Sequence, residues 1–240
     1  MNWEGIVSLL IACIEFLLIL NLLVFVDKNK INLLIISLIT FLMTYQLFEF
    51  IICNLGYNDS LYVYLAFFTI TFIPTINLAL INRILFNYPK LELKLLELLF
   101  TFFAFSLLFF YGMNYRVFEV KKCTVLYATF NYPLGFLYGF YYYLPIIISF
   151  VLLMYRIKYS QDISFKKKLK ILLFGHFFII LPPTFGFILN FLGYSKLIDS
   201  IESILCKFAL FYALTISFFA IYNSKYKDER NYLKYLSGYK

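Results

Sequence analysis

The sequence predicts an all-α membrane protein, a bundle of seven transmembrane helices. Three observations support this class: 63% of the residues are hydrophobic, only 14% are charged, and the apolar residues fall in seven long stretches. Soluble domains carry about 25% charged residues, whereas a helix needs ~20 mainly apolar residues to cross a bilayer. A water-soluble fold is therefore excluded.

The seven stretches follow one another with short polar connections. They are Ile6–Val26, Ile31–Cys53, Leu61–Phe86, Leu95–Tyr111, Gly135–Tyr155, Ile171–Leu192 and Ile201–Tyr222. Because they use most of the 240 residues, we predict one transmembrane domain over residues 1–222. The remaining residues, 223–240, are predicted to form a short basic cytoplasmic tail.

Lysines and arginines are unevenly divided between the two sides of the predicted bundle. Sixteen fall on one side and four on the other, while Lys207 lies within the seventh span. Short cytoplasmic loops carry the excess of positive residues. This division predicts a multi-pass protein of the cell membrane, here a prokaryotic plasma membrane, with the N-terminus outside and the C-terminus inside. The basic residues that give the chain its net charge of +8 lie in the loops and the tail, where anionic lipid is their expected neighbour. The charge therefore does not indicate nucleic-acid binding.

The connection between the fourth and fifth spans is the longest. Residues 116–131 are rich in β-branched and aromatic residues with partial alternation, a pattern that predicts a small extracellular β-hairpin capping the bundle. Cys53 and Cys123 should lie near this same outer surface. The sequence leaves a disulfide between them open, although we expect two separate thiols.

Three ionisable residues lie in the outer half of the predicted spans, where such groups usually face the bundle interior. A rise of ~1.5 Å per residue places Glu49 and Lys207 in one layer, with Glu15 within side-chain reach. We expect Lys207 to be neutralised by Glu49, Glu15 or both. The cluster is either a buried ion pair that fixes helix register or the lining of a cavity for a small ligand, which Asn190 and Tyr194 would also face.

Prolines interrupt three predicted spans and are the hinge candidates: Pro74, Pro145, and the adjacent pair Pro182 and Pro183. Each removes a backbone donor and strains the preceding turn, which predicts a kink. Such kinks either shape packing alone or act as hinges for an activating motion.

Two groups of residues are predicted at the membrane surfaces. The first is the lysine cluster, formed by Lys166, Lys167, Lys168 and Lys170. It anchors the sixth span at anionic headgroups or docks a cytoplasmic partner. The second is the run of tyrosines over 141–143, which is typical of an interfacial aromatic belt.

Enzyme chemistry finds little support in the sequence. The single histidine, His176, cannot build an HExxH zinc site or paired haem ligands. No GxSxG and no P-loop occur, and no acidic pair suited to Mg²⁺ is present. Microbial rhodopsins also carry a lysine in the seventh helix, but the tryptophans that surround retinal there are missing, since Trp3 is the only one here. The sequence therefore disfavours an enzyme, although an intramembrane Glu and Lys can in principle do acid and base work, and it predicts no metal and no cofactor.

Three segments together resemble a known family. They are 48–81 with its mid-helix proline, 135–157 followed by KKKLKILLFGHF (166–177), and the closing FALFYALTISFFAIYNSKY (208–226). In this order they resemble the heptahelical N-terminal sensor region of bacterial and archaeal histidine kinases. No phosphoacceptor helix and no ATP-binding domain follow residue 226, so the resemblance implies a sensor that signals through a separate cytoplasmic protein.

Three functions stay open at this point. The first is a receptor-like sensor that binds a small or lipid-like ligand in the outer half of the bundle and moves its fifth and sixth helices. The second is a small transporter or permease component in which Glu15, Glu49 and Lys207 form a coupling or substrate site. The third is a structural or assembly factor. Transporters often contain two related halves, and the absence of a convincing internal repeat favours the sensor.

Overall fold

The helices form one bundle with a small two-stranded sheet at one end. The computed structural model describes residues 3–86, 91–126, 128–191 and 207–224, with the backbone alone for residue 183 and residues 186–191. The helices are α1 (Ile6–Phe25), α2 (Lys30–Asn54), α3 (Ser60–Thr71), α4 (Ile73–Leu85), α5 (Leu91–Met113), α6 (Gly135–Tyr159), α7 (Ile163–Phe191) and α8 (207–224). The predicted helical class is confirmed.

Five helical segments in the described ranges are long and apolar enough to cross a membrane. These are α1, α2, α3 together with α4, α5 and α6. Large apolar side chains cover their outer surface, among them Phe102 at 74% and Phe136 at 87% exposure. Contiguous surfaces of this kind are unfavourable in water and suited to lipid. The chain is thus a multi-pass membrane protein, whereas the count of seven spans, which would need α7 and α8 as well, stays a prediction.

Contacts between chain segments define two opposite ends of the bundle. At the first, which we call the hairpin end, the Gly5 amide donates to the Thr124 carbonyl at 2.9 Å. At the second, which we call the lysine end, Lys168 Nζ donates to Asn223 Oδ1 at 2.8 Å. The start of α1 therefore lies beside the hairpin, and the end of α8 lies beside the start of α7.

The predicted hairpin is present. Strands β1 (Glu119–Cys123) and β2 (Ala128–Asn131) pair antiparallel, with an irregular register between Val120 and Lys122. Phe118, just before β1, is fully buried and its ring packs edge-on against the ring of Tyr111 in α5. Aromatic packing of this kind fixes the hairpin on the bundle.

Pro74 coincides with a break in the third predicted span. Helix α3 stops at Thr71 and α4 begins at Ile73, with Pro74 in the first turn of α4, where a missing amide hydrogen breaks no helical bond. Pro145 lies inside the uninterrupted helix α6, and the pair at 182 and 183 lies inside α7. A hinge role for these prolines stays a prediction.

The tyrosines at the start of α6 belong to the core. Tyr141 and Tyr142 are only 1% and 8% exposed, so the interfacial interpretation is wrong for these two. The Tyr141 hydroxyl donates to the Thr71 carbonyl at 2.6 Å and lies 3.0 Å from the Thr75 hydroxyl. The Thr71 carbonyl belongs to the last turn of α3, where helical partners run out, and Tyr141 supplies the missing donor.

Candidate functional site

A buried polar cluster at the hairpin end joins α1, α2 and α8. Lys207 Nζ lies 2.7 Å from Ser8 Oγ, 2.8 Å from Gln46 Oε1 and 2.8 Å from Glu49 Oε2. An ammonium group has three donors, so each finds an acceptor. The ion pair expected between Lys207 and Glu49 is present.

Glu49 connects this cluster to the hairpin. Its Oε2 accepts from Lys207, while its Oε1 accepts from the Ala128 amide at 3.0 Å. The Glu49 side chain is 0% exposed and the Lys207 side chain 14%. One carboxylate therefore holds β2 and Lys207 of α8 together inside the bundle.

A disulfide joins α2 to the hairpin one turn beyond Glu49. Cys53 is bonded to Cys123, with their Cα atoms 5.6 Å apart, so the expectation of two separate thiols is wrong. The physical reason lies in the register. Glu49 and Cys53 share one face of α2, and their partners Ala128 and Cys123 stand opposite each other across the hairpin. The same hairpin turn thus meets α2 through both pairs.

Glu15 lies in the same interior but outside the hydrogen-bonded cluster. It stands two turns along α1 from Ser8 and is 0% exposed. Neither of its carboxylate oxygens has a hydrogen-bond partner in the described part of the chain. The three donors of Lys207 are used by other acceptors, so Glu15 forms no salt bridge with it, although the ammonium charge still attracts the Glu15 carboxyl group. A buried carboxyl group without partners is costly, and nothing in the packing of α1 accounts for it.

A polar pocket of about 570 Å³ lies at the hairpin end, between β1 and the segment that follows α2. The Cys53–Cys123 disulfide forms part of its wall. Its charged lining residues carry both signs: Glu4, Glu119, Lys121 and Lys122. Small-molecule sites usually span ~300–1,000 Å³, so this pocket has the size of a ligand site. The sequence did not reveal it, because both walls are built by long-range contacts.

A second polar group crosses the middle of the bundle. The Tyr212 hydroxyl of α8 donates to Asn77 Oδ1 of α4, and the Tyr212 ring packs against His176 of α7 with 4.9 Å between ring centroids. Asn77 and Tyr212 also line a closed cavity of about 20 Å³, enough for one water molecule. Sequence reasoning did not single out Tyr212. The available signal was a tyrosine in mid-span, away from the membrane surfaces.

The remaining predicted site residues are only partly described. The Asn190 side chain, the Pro183 side chain and Tyr194 lie outside the described residues. In the lysine cluster, Lys168 bonds across to α8, while Lys167 is exposed to the surroundings.

The fold and the site define a class: a multi-pass helical membrane protein with a buried ion pair beneath a disulfide-bonded hairpin. The chain matches no protein-family model, and no curated protein is significantly similar to it. The function of the protein is therefore inferred from the geometry and charge of the site. In the described residues, no three histidine, cysteine or acidic side chains are grouped so that they could hold a metal ion.

Proposed function

We propose that this protein is a receptor-like, sensory membrane protein of a prokaryotic plasma membrane. It crosses the bilayer seven times with the hairpin end outside, binds a small ligand there and signals from the lysine end to a separate cytoplasmic protein. Two observations support the orientation. Disulfides persist in oxidising, extracytoplasmic compartments, and the lysine cluster matches the positive charge of cytoplasmic loops.

One observation carries the sensory proposal: Glu49 is bonded to both the hairpin and α8. The hairpin forms a wall of the 570 Å³ pocket, and its Ala128 amide is held by Glu49. Glu49 in turn holds Lys207, the first described residue of α8. At the other end of α8, Asn223 contacts Lys168 of the lysine cluster. A ligand that displaces the hairpin would thus pull on a helix that reaches the opposite end.

The pocket lining indicates the class of ligand. Carboxylates and ammonium groups face the same space, an arrangement complementary to polar or zwitterionic solutes. We therefore expect the ligand to bind nearer the surface than the sequence suggested. It would bind under the hairpin, above the Lys207 cluster.

The experiment combines ligand screening with a readout at the far end. Polar and zwitterionic metabolites are screened by thermal shift on the purified protein. Any stabilising compound is then tested by hydrogen–deuterium exchange. We expect such a compound to alter amide exchange over residues 156–170. The E49Q variant should still bind the compound but lose this distant change, because its link to Lys207 is weakened.

The matched control is E92Q, which makes the same chemical change at an exposed position of α5 and should behave as the unmodified protein. Binding that leaves exchange over residues 156–170 unchanged in the unmodified protein would contradict a signalling role.

Glu15 favours a second candidate function, a small transporter. An unpartnered buried carboxyl group in a span is a common feature of ion-coupled transport. The test is uptake of a screened solute into liposomes that contain the protein. Uptake that is lost in E15Q and retained in E92Q would replace the sensory proposal with this one.

A further inference from the structure

An apolar groove of about 540 Å³ runs along the outer surface between α7 and α8. Its walls are large and exposed: Phe174 is 62%, Phe211 49%, Leu214 41% and Phe218 56% exposed. Lys170 lines the same groove. The groove is thus lined by apolar side chains and by one basic group, Lys170.

A close approach of the two helices forms the floor of the groove. A Cβ atom added at Gly175 would lie 2.9 Å from the Cβ and Cγ2 atoms of Thr215, a residue that also lines the groove. Only glycine allows this separation. Because the backbones meet here, the phenyl rings on either side stand out as walls.

The basic end of the groove belongs to the lysine cluster. Lys167 and Lys170 are three residues apart on α7, so they are neighbours on one helix face, and both are exposed. Neither pairs with a carboxylate among the described residues. Lys168 differs, since it is held by Asn223 at 2.8 Å. Two ammonium groups are therefore available beside the mouth of an apolar groove.

We propose that this groove is a binding site for an anionic phospholipid of the surrounding bilayer. One acyl chain would lie along the phenylalanines, and the phosphate-containing headgroup would be held by Lys167 and Lys170. The site lies at the opposite end from the hairpin pocket. It depends on membrane insertion of α7 and α8 but not on the proposed sensory function.

Charge argues against this chain's own tail as the occupant. Residues 225–240 contain five lysines and arginines and two acidic residues, so the tail has the same sign as the lysine pair. A lipid phosphate has the opposite sign, and each lysine near a membrane surface strengthens the attraction to anionic lipid.

The test compares two lipids with identical acyl chains, phosphatidylglycerol and phosphatidylcholine, by native mass spectrometry of the full chain in detergent. We expect phosphatidylglycerol to be retained preferentially. The double variant K167Q/K170Q should weaken its binding by roughly fivefold per lysine, ~25-fold in all. The control K28Q/K30Q removes the same charge at two exposed positions at or just before the start of α2 and should leave the preference intact. Equal effects of both pairs, or no effect of the first, would overturn the proposal.

A second variant tests the groove itself. L214W fills the groove at an exposed position, so it should reduce retention of both lipids without unfolding the protein. Unchanged retention would refute a binding site for an acyl chain in the groove. A photoreactive amino acid at position 214 then identifies the occupant in membranes. A lipid adduct supports the proposal, whereas crosslinks to residues 225–240 or to a second copy of the chain would replace it.

Discussion

Removing Lys207 should destabilise the protein more than any ordinary surface change. In K207M, Glu49 remains 0% exposed and loses its counter-charge, keeping only neutral donors, the Ala128 amide and the Ser8 hydroxyl. Breaking a buried ion pair at one partner costs ~3–5 kcal/mol. Three interhelical hydrogen bonds at about 0.6 kcal/mol each, the average inside membranes, set a lower bound of ~2 kcal/mol. We therefore expect a loss of ~2–5 kcal/mol in the free energy of unfolding.

A double-mutant cycle separates the pair from its surroundings. E49L should lower the free energy of unfolding by a similar amount, because it leaves the Lys207 ammonium without its counter-charge and the Ala128 amide without its acceptor. In K207M/E49L no unpaired charge remains, so the double variant should cost much less than the sum of the single ones. The assay is unfolding in a titration of sodium dodecyl sulfate, followed by circular dichroism. Additivity within ~0.5 kcal/mol would refute the argument that these two residues stabilise the bundle as a pair.

Three further predictions concern other parts of the bundle. C53S removes the disulfide to Cys123, which links residues 70 positions apart, so it should lower the free energy of unfolding by at most ~4 kcal/mol and lower the melting temperature accordingly. Reductant added to the unmodified protein should reproduce the loss. An unchanged melting temperature in both experiments would contradict the prediction. G175A should lower the free energy of unfolding by ~1–3 kcal/mol in the same detergent titration, because α7 and α8 cannot separate freely to make room for a methyl group. The control G139A, with nothing within 4 Å of the added atom, should be nearly neutral. Equal losses in the two variants would disprove the close approach of α7 and α8 at Gly175. E15L should stabilise the protein by ~1–3 kcal/mol, since it removes an unsatisfied buried carboxyl group, and a loss of stability would mean that Glu15 has a favourable partner.

Hydropathy and residue spacing predicted the features that depend on local sequence. Helix positions follow from apolar stretches of membrane length, as for Ile6–Phe25 against the predicted first span. The Lys207–Glu49 pair was predictable because the constant rise of a helix fixes the depth of each residue. The hairpin followed from its alternating β-branched pattern.

Contacts that depend on how distant segments of the chain align with one another could not be predicted from hydropathy and residue spacing. The bond between Cys53 and Cys123 requires the pairing of Cys123 with Ala128 across the hairpin, which no spacing rule supplies. Glu15 was grouped with Lys207 by depth alone, but depth does not say which neighbour uses the three ammonium donors. The Tyr212 contacts arise where α7 and α8 touch at Gly175, a crossing point that a single sequence does not mark.

The Lys207–Glu49 bond also sets an order of events during synthesis. The two residues are 158 positions apart, and ribosomes add about 5–20 residues per second, so roughly 8–30 s separate their appearance. During this interval α2 resides in the translocation machinery or in lipid with its carboxylate uncompensated. The early helices therefore wait in an incomplete assembly until α8 emerges and delivers the counter-charge from Lys207.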